Sequence, residues 1–136
     1  MNHFDLIIFD CDGVLVDSER IANEVFAKIL NEECGFSLSL DDMFEKFVGR
    51  SSLQCMELIE ELLAEKPPRG LEERYKTEID LALKSSVTSV KGIKKVLPEI
   101  TIPYCVASSG SYEKMQITLF FLSPYFYAKV SNRLGT

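Results

Sequence analysis

Two short apolar runs have the continuous hydrophobic character that is typical of strands in a parallel sheet. The first spans residues 4–10, with Leu6-Ile7-Ile8-Phe9 at its centre, and the second runs from Ile102 to Ala107. A continuous apolar run, rather than an alternating one, indicates a strand that is buried on both faces. A third strand is predicted at Tyr127–Ser131, after the break expected at Pro124.

Most of the remaining chain carries apolar residues at helical spacing. Ser18 is predicted to cap the first helix, which Gly35 ends, and Ser51 or Ser52 is predicted to cap a later one. A short helix is also expected behind Asp41 or Asp42. The predicted helical segments are 18–35, 41–47, 52–63, 71–84, 92–97 and 112–121.

The order of these elements predicts the fold class. Strands that alternate with helices indicate an α/β fold with a parallel sheet and right-handed crossovers. The block from about 18 to 86 is too long for one crossover helix. It is interpreted as a helical insert above the carboxyl ends of the strands.

Composition and charge exclude several classes of protein. The length of 136 residues indicates one domain, or one domain with a small insert. Hydrophobic residues make up 46% of the chain and charged residues 26%, which is ordinary for a soluble globular protein. A net charge of −6 without a basic block argues against nucleic-acid binding. No apolar run reaches membrane-spanning length, and residues 1–8 lack a signal core, so a cytoplasmic protein without membrane partners is expected.

The cysteines point to packing rather than to metal binding. They are scattered at positions 11, 34, 55 and 105, without a CxxC pair, and His3 is the one histidine. This pattern argues against a zinc site and favours reduced, mostly buried thiols. Cys11 lies between two aspartates, but its side chain should point to the opposite face of an extended segment, which favours packing over catalysis.

Asp10 and Asp12 are the candidate chemistry of the chain. They follow the first strand, two residues apart, with Gly13 behind them. Carboxylates at the carboxyl end of a buried strand are unfavourable unless a cation or a reaction needs them. A carboxylate can attack phosphorus to form an aspartyl-phosphate, and Mg²⁺ suits a site of carboxylate and carbonyl oxygens.

These residues resemble the motifs of a known family. Asp10-Cys11-Asp12-Gly13-Val14, followed by Asp17-Ser18-Glu19, is similar to the first motif of the haloacid dehalogenase superfamily. Val106-Ala107-Ser108-Ser109 resembles the second motif. The insert resembles the helical cap of the branch that includes beta-phosphoglucomutase and phosphoglycolate phosphatase. The resemblance implies a Rossmann-like core from residues 1–16 and 88–136, with an α-helical cap at 17–87.

The resemblance also implies residue roles. Asp10 would be the nucleophile and a Mg²⁺ ligand, while Asp12 would be the acid and base and would ligate Mg²⁺ through its backbone carbonyl. Ser108, with Ser109 beside it, would bind the phosphoryl group. Gly49 and Arg50 stand where related caps read the substrate, although Arg50 is equally well interpreted as a solvated surface arginine.

The implied activity is that of a Mg²⁺-dependent phosphatase acting on a small phosphorylated metabolite. The reaction would pass through an aspartyl-phosphate intermediate. A phosphomutase is the weaker alternative, because water is the commoner acceptor among such relatives. Asp12 favours phosphoryl transfer over dehalogenation. The oligomeric state is not predicted.

The chain departs from the family after the second motif. A lysine motif and an acidic strand end should follow, but no Asp or Glu occurs after Glu113. Lys129 lacks the expected context and Lys114 lies too early, at the start of a helix. A truncated family member with an incomplete site is therefore expected, and the uncovered first strand would be an apolar edge.

Two alternatives to an active enzyme remain open. The first is a non-catalytic remnant, or a fragment that a partner complements. The second is a helical protein–protein module that uses the insert at residues 18–86, which would bind its partner tightly on its own.

Overall fold

The computed structural model describes residues 3–130, and the side chains as far as Phe126. The chain divides into two compact units, of which one joins Met1–Glu19 to Leu83–Thr136 and the other is Arg20–Ala82. The strands and α-helices in chain order are β1 (Ile7–Phe9), α1 (Ser18–Cys34), α2 (Leu40–Lys46), α3 (Ser52–Leu63), α4 (Leu71–Ser86), α5 (Ile93–Val96), β2 (Tyr104–Val106), α6 (Tyr112–Leu119) and α7 (Ser123–Val130). Short 3₁₀ helices follow α5 at Leu97–Glu99 and α6 at Phe120–Leu122.

The two strands pair in parallel, which confirms the predicted α/β class. Ile7 lies opposite Tyr104 and Phe9 lies opposite Val106 in the register. Directly after β2, the Ala107 backbone N–H donates to the carbonyl of Phe9, the last residue of β1, at 2.8 Å. Because parallel strands run in the same direction, the residues that follow β1 and β2 emerge at one edge of the sheet.

The core of the first unit covers one face of this sheet. Tyr104 makes edge-on ring contacts with Phe9 and Phe126, with centroids 5.9 and 5.5 Å apart. Such edge-to-face pairs stabilise beyond the apolar area that they bury. The buried members of this core are Cys11, Leu15, Val16, Leu97, Tyr104, Leu122 and Phe126.

The opposite face of β1 is uncovered by the described residues. Leu6 is 48% exposed and Ile8 is 62% exposed, although both are large and apolar. The prediction of a strand buried on both faces is wrong for the part of the chain that the structure describes. The separate expectation of an apolar edge concerns strand pairing: among the described residues β1 pairs with β2 alone, so its other edge is unpaired there.

The second unit is helical and has its own core. Ala27, Ile29, Leu30, Met43, Phe47, Ile59 and Leu71 are its buried members. Ser51 caps α3 by accepting from the Gln54 backbone N–H at 3.2 Å, so the first of the two predicted caps is correct. None of the helices in the described range is long and apolar enough to span a bilayer.

Three local predictions need correction. The segment predicted as a third strand is α7, and Pro124 lies in its first turn, where proline is well tolerated because no N–H is needed. Ser131, the end of that predicted strand, lies outside the described residues. Ser18 is the first residue of α1 rather than its cap, and α2 begins behind Ser39, whose hydroxyl accepts from the Asp42 N–H at 3.1 Å.

Candidate active site

A tight loop after β1 carries the two aspartates. The Cys11 carbonyl accepts from the backbone N–H groups of Leu15 and Val16 at 3.0 and 3.2 Å, and the Gly13 N–H donates to the Val16 carbonyl at 2.8 Å. Gly13 has φ +74°, a left-handed conformation that a side chain would make unfavourable. These backbone hydrogen bonds hold the conformation of the loop and thereby fix the positions from which the two aspartate side chains extend.

Asp10 directly follows β1 at the carboxyl edge of the sheet. Its Oδ1 accepts from the Cys11 backbone N–H at 2.8 Å, and the residue is exposed. The hydrogen bond orients the carboxylate, and the exposure makes it accessible to a substrate in water.

Asp12 is half-buried and is held by two side chains. The Ser18 hydroxyl donates to Asp12 Oδ1 at 2.5 Å, and Ser18 is only 1% exposed. The Lys114 ammonium lies 3.1 Å from the same Oδ1. Among the described residues, both contacts with this carboxylate are made to Oδ1, and Oδ2 accepts none.

The loop after β2 brings Ser108 to the same place. The Ser108 hydroxyl accepts from the Gly110 backbone N–H at 3.0 Å, while Ser109 is exposed in the same loop. A Cβ added at Gly110 would lie 3.3 Å from Ser108 Oγ, 3.5 Å from Lys114 Cδ and 3.8 Å from Asp12 Oδ2. Three polar side chains from separate segments therefore surround one small space.

Cys11 belongs to the core of the first unit. It is 1% exposed, and its Sγ lies 3.8 Å from the Thr118 Oγ1. Burial raises the pKa of the Cys11 thiol, so the thiol form is favoured over the nucleophilic thiolate. The prediction that Cys11 packs in the core is confirmed. The prediction of mostly buried thiols is wrong, since Cys105 is exposed and Cys34 and Cys55 are only partly buried.

The donor chemistry of the loop fits a hard cation in part. The Asp10 carboxylate and the Asp12 backbone carbonyl are oxygen donors, and Mg²⁺ is usually bound by one or two carboxylates together with waters and substrate phosphate. Within residues 3–130, however, no group of three or more His, Cys, Asp or Glu side chains comes together for a metal. The loop therefore fits Mg²⁺ as part of a coordination shell.

Gly49 and Arg50 lie in the second unit, between α2 and α3. Gly49 has φ +81°. The Arg50 Nε donates to the Lys46 carbonyl at 2.6 Å, and the side chain is exposed. This contact ties the arginine to its own loop, and the substrate-reading role of both residues stays a prediction.

Lys114 reaches the candidate site although the sequence alone does not select it. It lies in the first turn of α6, too early for the expected lysine motif, yet that turn lies beside the aspartate loop. One sequence signal pointed to it, because a cation in the first turn opposes the helix dipole and needs another reason to be there. The side chain of Lys129, the other candidate lysine, lies outside the described residues.

Comparison with known proteins shows which family and which relatives the sequence resembles. The sequence profile of the haloacid dehalogenase-like hydrolases matches residues 7–131. A 6-phosphogluconate phosphatase from Escherichia coli (strain K12) is 29% identical over 128 residues, which are 93% of this chain and 58% of that protein.

Solved structures share the fold. A conserved haloacid dehalogenase-like protein of unknown function from Agrobacterium tumefaciens str. C58 superposes with a TM-score of 0.84 at 36% identity, over 91% of this chain and 56% of that one. A family hydrolase from Deinococcus radiodurans R1, with bound phosphate and sodium, gives 0.76 at 24% identity, over 96% of this chain and 61% of that one. The chain thus spans between 56% and 61% of the length of these three relatives.

Proposed function

We propose that this chain, which belongs to the haloacid dehalogenase-like hydrolase family, hydrolyses the phosphate ester of a small metabolite through an aspartyl-phosphate. The observation that carries the proposal is the grouping of Asp12, Ser108 and Lys114 around Gly110, at the sheet edge where Asp10 also emerges. A nucleophile, a proton donor and phosphate-binding groups are the parts that such a reaction requires.

In the first step, Asp10 acts as the nucleophile. Its Oδ1 is engaged by the Cys11 N–H, so Oδ2 is the oxygen that attacks phosphorus. The bond from phosphorus to the ester oxygen breaks as the new bond forms. Asp12, acting as the general acid, donates a proton to the departing oxygen, which leaves as an alcohol.

In the second step, Asp12 acts as the base. Its carboxylate takes a proton from water, and the water oxygen attacks the phosphorus of the phosphorylated Asp10. Inorganic phosphate leaves and the Asp10 carboxylate is restored. The hydroxyls of Ser108 and Ser109 hold the phosphoryl oxygens during both steps, which stabilises the charge that develops there.

The Asp10 carboxylate and the Asp12 backbone carbonyl would hold Mg²⁺ in this reaction. When bound, the cation reduces the repulsion between the carboxylate and the phosphate dianion and polarises the phosphoryl oxygen. The remaining ligands would be waters, substrate oxygens or groups beyond the described residues.

The E. coli relative suggests where to look for the substrate. Its name specifies 6-phosphogluconate, a small phosphorylated sugar acid. We propose sugar phosphates of this kind as the first substrates to examine, with Gly49 and Arg50 as candidate contacts for a substrate carboxylate or phosphate.

Turnover of para-nitrophenyl phosphate in the presence of Mg²⁺ tests the proposal. Wild-type protein should release nitrophenolate, Asp10→Asn should abolish release, and Asp12→Asn should lower kcat by about 10²–10⁴-fold. Asp5→Asn is the matched control, because Asp5 is an exposed aspartate that precedes β1 in the same unit. Its rate should equal that of the wild type.

A non-catalytic chain, or one that a partner complements, is the competing candidate. It is favoured by the lack of a three-residue metal cluster within the described residues. Equal, negligible turnover by wild type and Asp10→Asn would support this candidate and contradict the phosphatase. Mg²⁺-dependent turnover that Asp10→Asn abolishes would exclude it.

A further inference from the structure

We infer that Lys114 is a positioning residue that, together with Ser18, holds the Asp12 carboxylate by Oδ1 so that Oδ2 faces the substrate. The consequence for catalysis rests on the proposed phosphatase function, whereas the positioning itself does not. Lys114 would act through Asp12 and not on the reacting atoms directly.

The first argument is that two donors converge on one oxygen. The Ser18 hydroxyl, 2.5 Å away, and the Lys114 ammonium, 3.1 Å away, both contact Asp12 Oδ1. A carboxylate held by two donors on one oxygen loses its rotational freedom, and its second oxygen then has a fixed direction. Oδ2 lies 3.8 Å from the position of a Cβ on Gly110, where Ser108 Oγ is also near.

The second argument is that α6 is anchored to the aspartate loop at two successive turns. Lys114 and Thr118 lie four residues apart and thus on one face of α6. Lys114 contacts Asp12, and Thr118, which is 1% exposed, contacts Cys11 with its hydroxyl. Adjacent residues of the loop therefore contact successive turns of α6, and these two contacts hold the Lys114 ammonium beside the Asp12 carboxylate.

The third argument is that the lysine is unfavourable for the helix itself. Ser111 caps α6 by accepting from the Lys114 backbone N–H at 3.2 Å, so the ammonium belongs to the first turn. A positive charge there is repelled by the helix dipole. The ion pair with Asp12 offsets this repulsion, and with side chains 37% and 30% exposed the pair is only partly screened by water.

The direct test measures the side-chain torsion of Asp12. In protein labelled with ¹³C and ¹⁵N, the three-bond couplings from the Asp12 Cγ to its backbone nitrogen and carbonyl carbon report χ1. Wild type should give the couplings of a single rotamer. Lys114→Met, which keeps the length of the side chain but removes its charge, should give averaged couplings, and Lys114→Arg should restore the single rotamer.

Lys95→Met is the matched control, since Lys95 is an exposed lysine of α5 in the same unit. It should leave the Asp12 couplings unchanged. Unchanged couplings in Lys114→Met would overturn the inference, whatever the enzyme does. Circular dichroism should confirm that each variant is folded.

The kinetic test separates positioning from substrate binding. With para-nitrophenyl phosphate, Lys114→Met should lower kcat by about 10- to 100-fold, the usual effect of a misplaced catalytic group, with little change in KM. Lys114→Arg should recover most of kcat. A raised KM with unchanged kcat would contradict positioning. If the wild type has no turnover, the proposed function fails, while the couplings still decide the role of Lys114.

Discussion

Whether an alanine substitution strains the backbone or crowds the neighbouring side chains depends on the backbone conformation and the surroundings of the glycine it replaces. Gly110 lies outside the left-handed region, so an alanine there meets no backbone strain, but its Cβ would enter the space between Ser108, Lys114 and Asp12. Gly35 has the opposite character, with φ +68° and open space around the added Cβ. The two positions therefore separate crowding of the site from backbone strain.

We predict that Gly110→Ala raises KM for para-nitrophenyl phosphate several-fold, because the methyl group would occupy the space that we propose for the phosphate. The free energy of unfolding should change by less than about 1 kcal/mol. Gly35→Ala should do the reverse, losing about 1–2 kcal/mol of stability from its left-handed backbone with unchanged KM. Kinetics and urea unfolding of both variants check this, and an unaltered KM in Gly110→Ala would contradict it.

Thiol reactivity is a second prediction at the residue scale. Cys105 is exposed, whereas Cys11 is buried and burial raises the pKa of its thiol. Native protein treated with iodoacetamide at pH 8 should be alkylated first at Cys105 and last at Cys11. Peptide mass spectrometry over time measures the order, and equal rates at the two residues would contradict the burial of Cys11.

At the scale of elements, the start of α2 shows how a cap couples stability to pH. The Ser39 backbone N–H and hydroxyl both donate to the Asp42 carboxylate, at 2.7 and 2.6 Å. These hydrogen bonds lower the pKa of Asp42 below its ordinary value. Folding therefore favours the ionised carboxylate, and this stabilisation is present above the unfolded pKa and lost as the pH falls through the folded one.

We predict that Ser39→Ala destabilises the protein near neutral pH, because it removes the cap and the hydroxyl donor to Asp42. The stability gap between wild type and variant should narrow as the pH falls through the lowered pKa of Asp42, because the protonated carboxyl no longer accepts these hydrogen bonds as a charged group. Urea unfolding midpoints at several pH values measure the gap. A gap that stays constant down to pH 2 would contradict the coupling.

At the scale of the whole molecule, the burial of an apolar side chain depends on whether other elements pack against the face that carries it. Leu15 is fully buried in the core of the first unit, while Ile8 on β1 is 62% exposed. Both are large aliphatic residues of the same unit, and their positions in the sequence are close. Their exposure alone predicts very different contributions to stability.

We predict that Leu15→Ala lowers the free energy of unfolding by about 2–5 kcal/mol, because it leaves a cavity in a packed core. Ile8→Ala should cost less than about 1 kcal/mol, since most of that side chain is already in water. Chemical denaturation of the two variants measures the difference. Equal losses would contradict the uncovered face of β1.

The sequence by itself determined the elements whose signals are local. The strands and the long helices follow from apolar periodicity and from caps such as Ser51, which act within a few residues. The aspartate and serine motifs were identified by their resemblance to those of the family. The strand predicted at Tyr127–Ser131 is wrong for residues 127–130, which belong to α7, because a short apolar run satisfies both strand and helix patterns. No local signal distinguished them there.

Only the tertiary structure decided which side chains meet. Lys114 and Asp12 are far apart in the chain, and their ion pair exists because α6 packs behind the aspartate loop through Thr118 and Cys11. The exposure of Ile8 was decided in the same way, by which face of β1 the helices cover. Contacts between distant segments depend on the packing of whole elements, which residue spacing along a single chain does not encode.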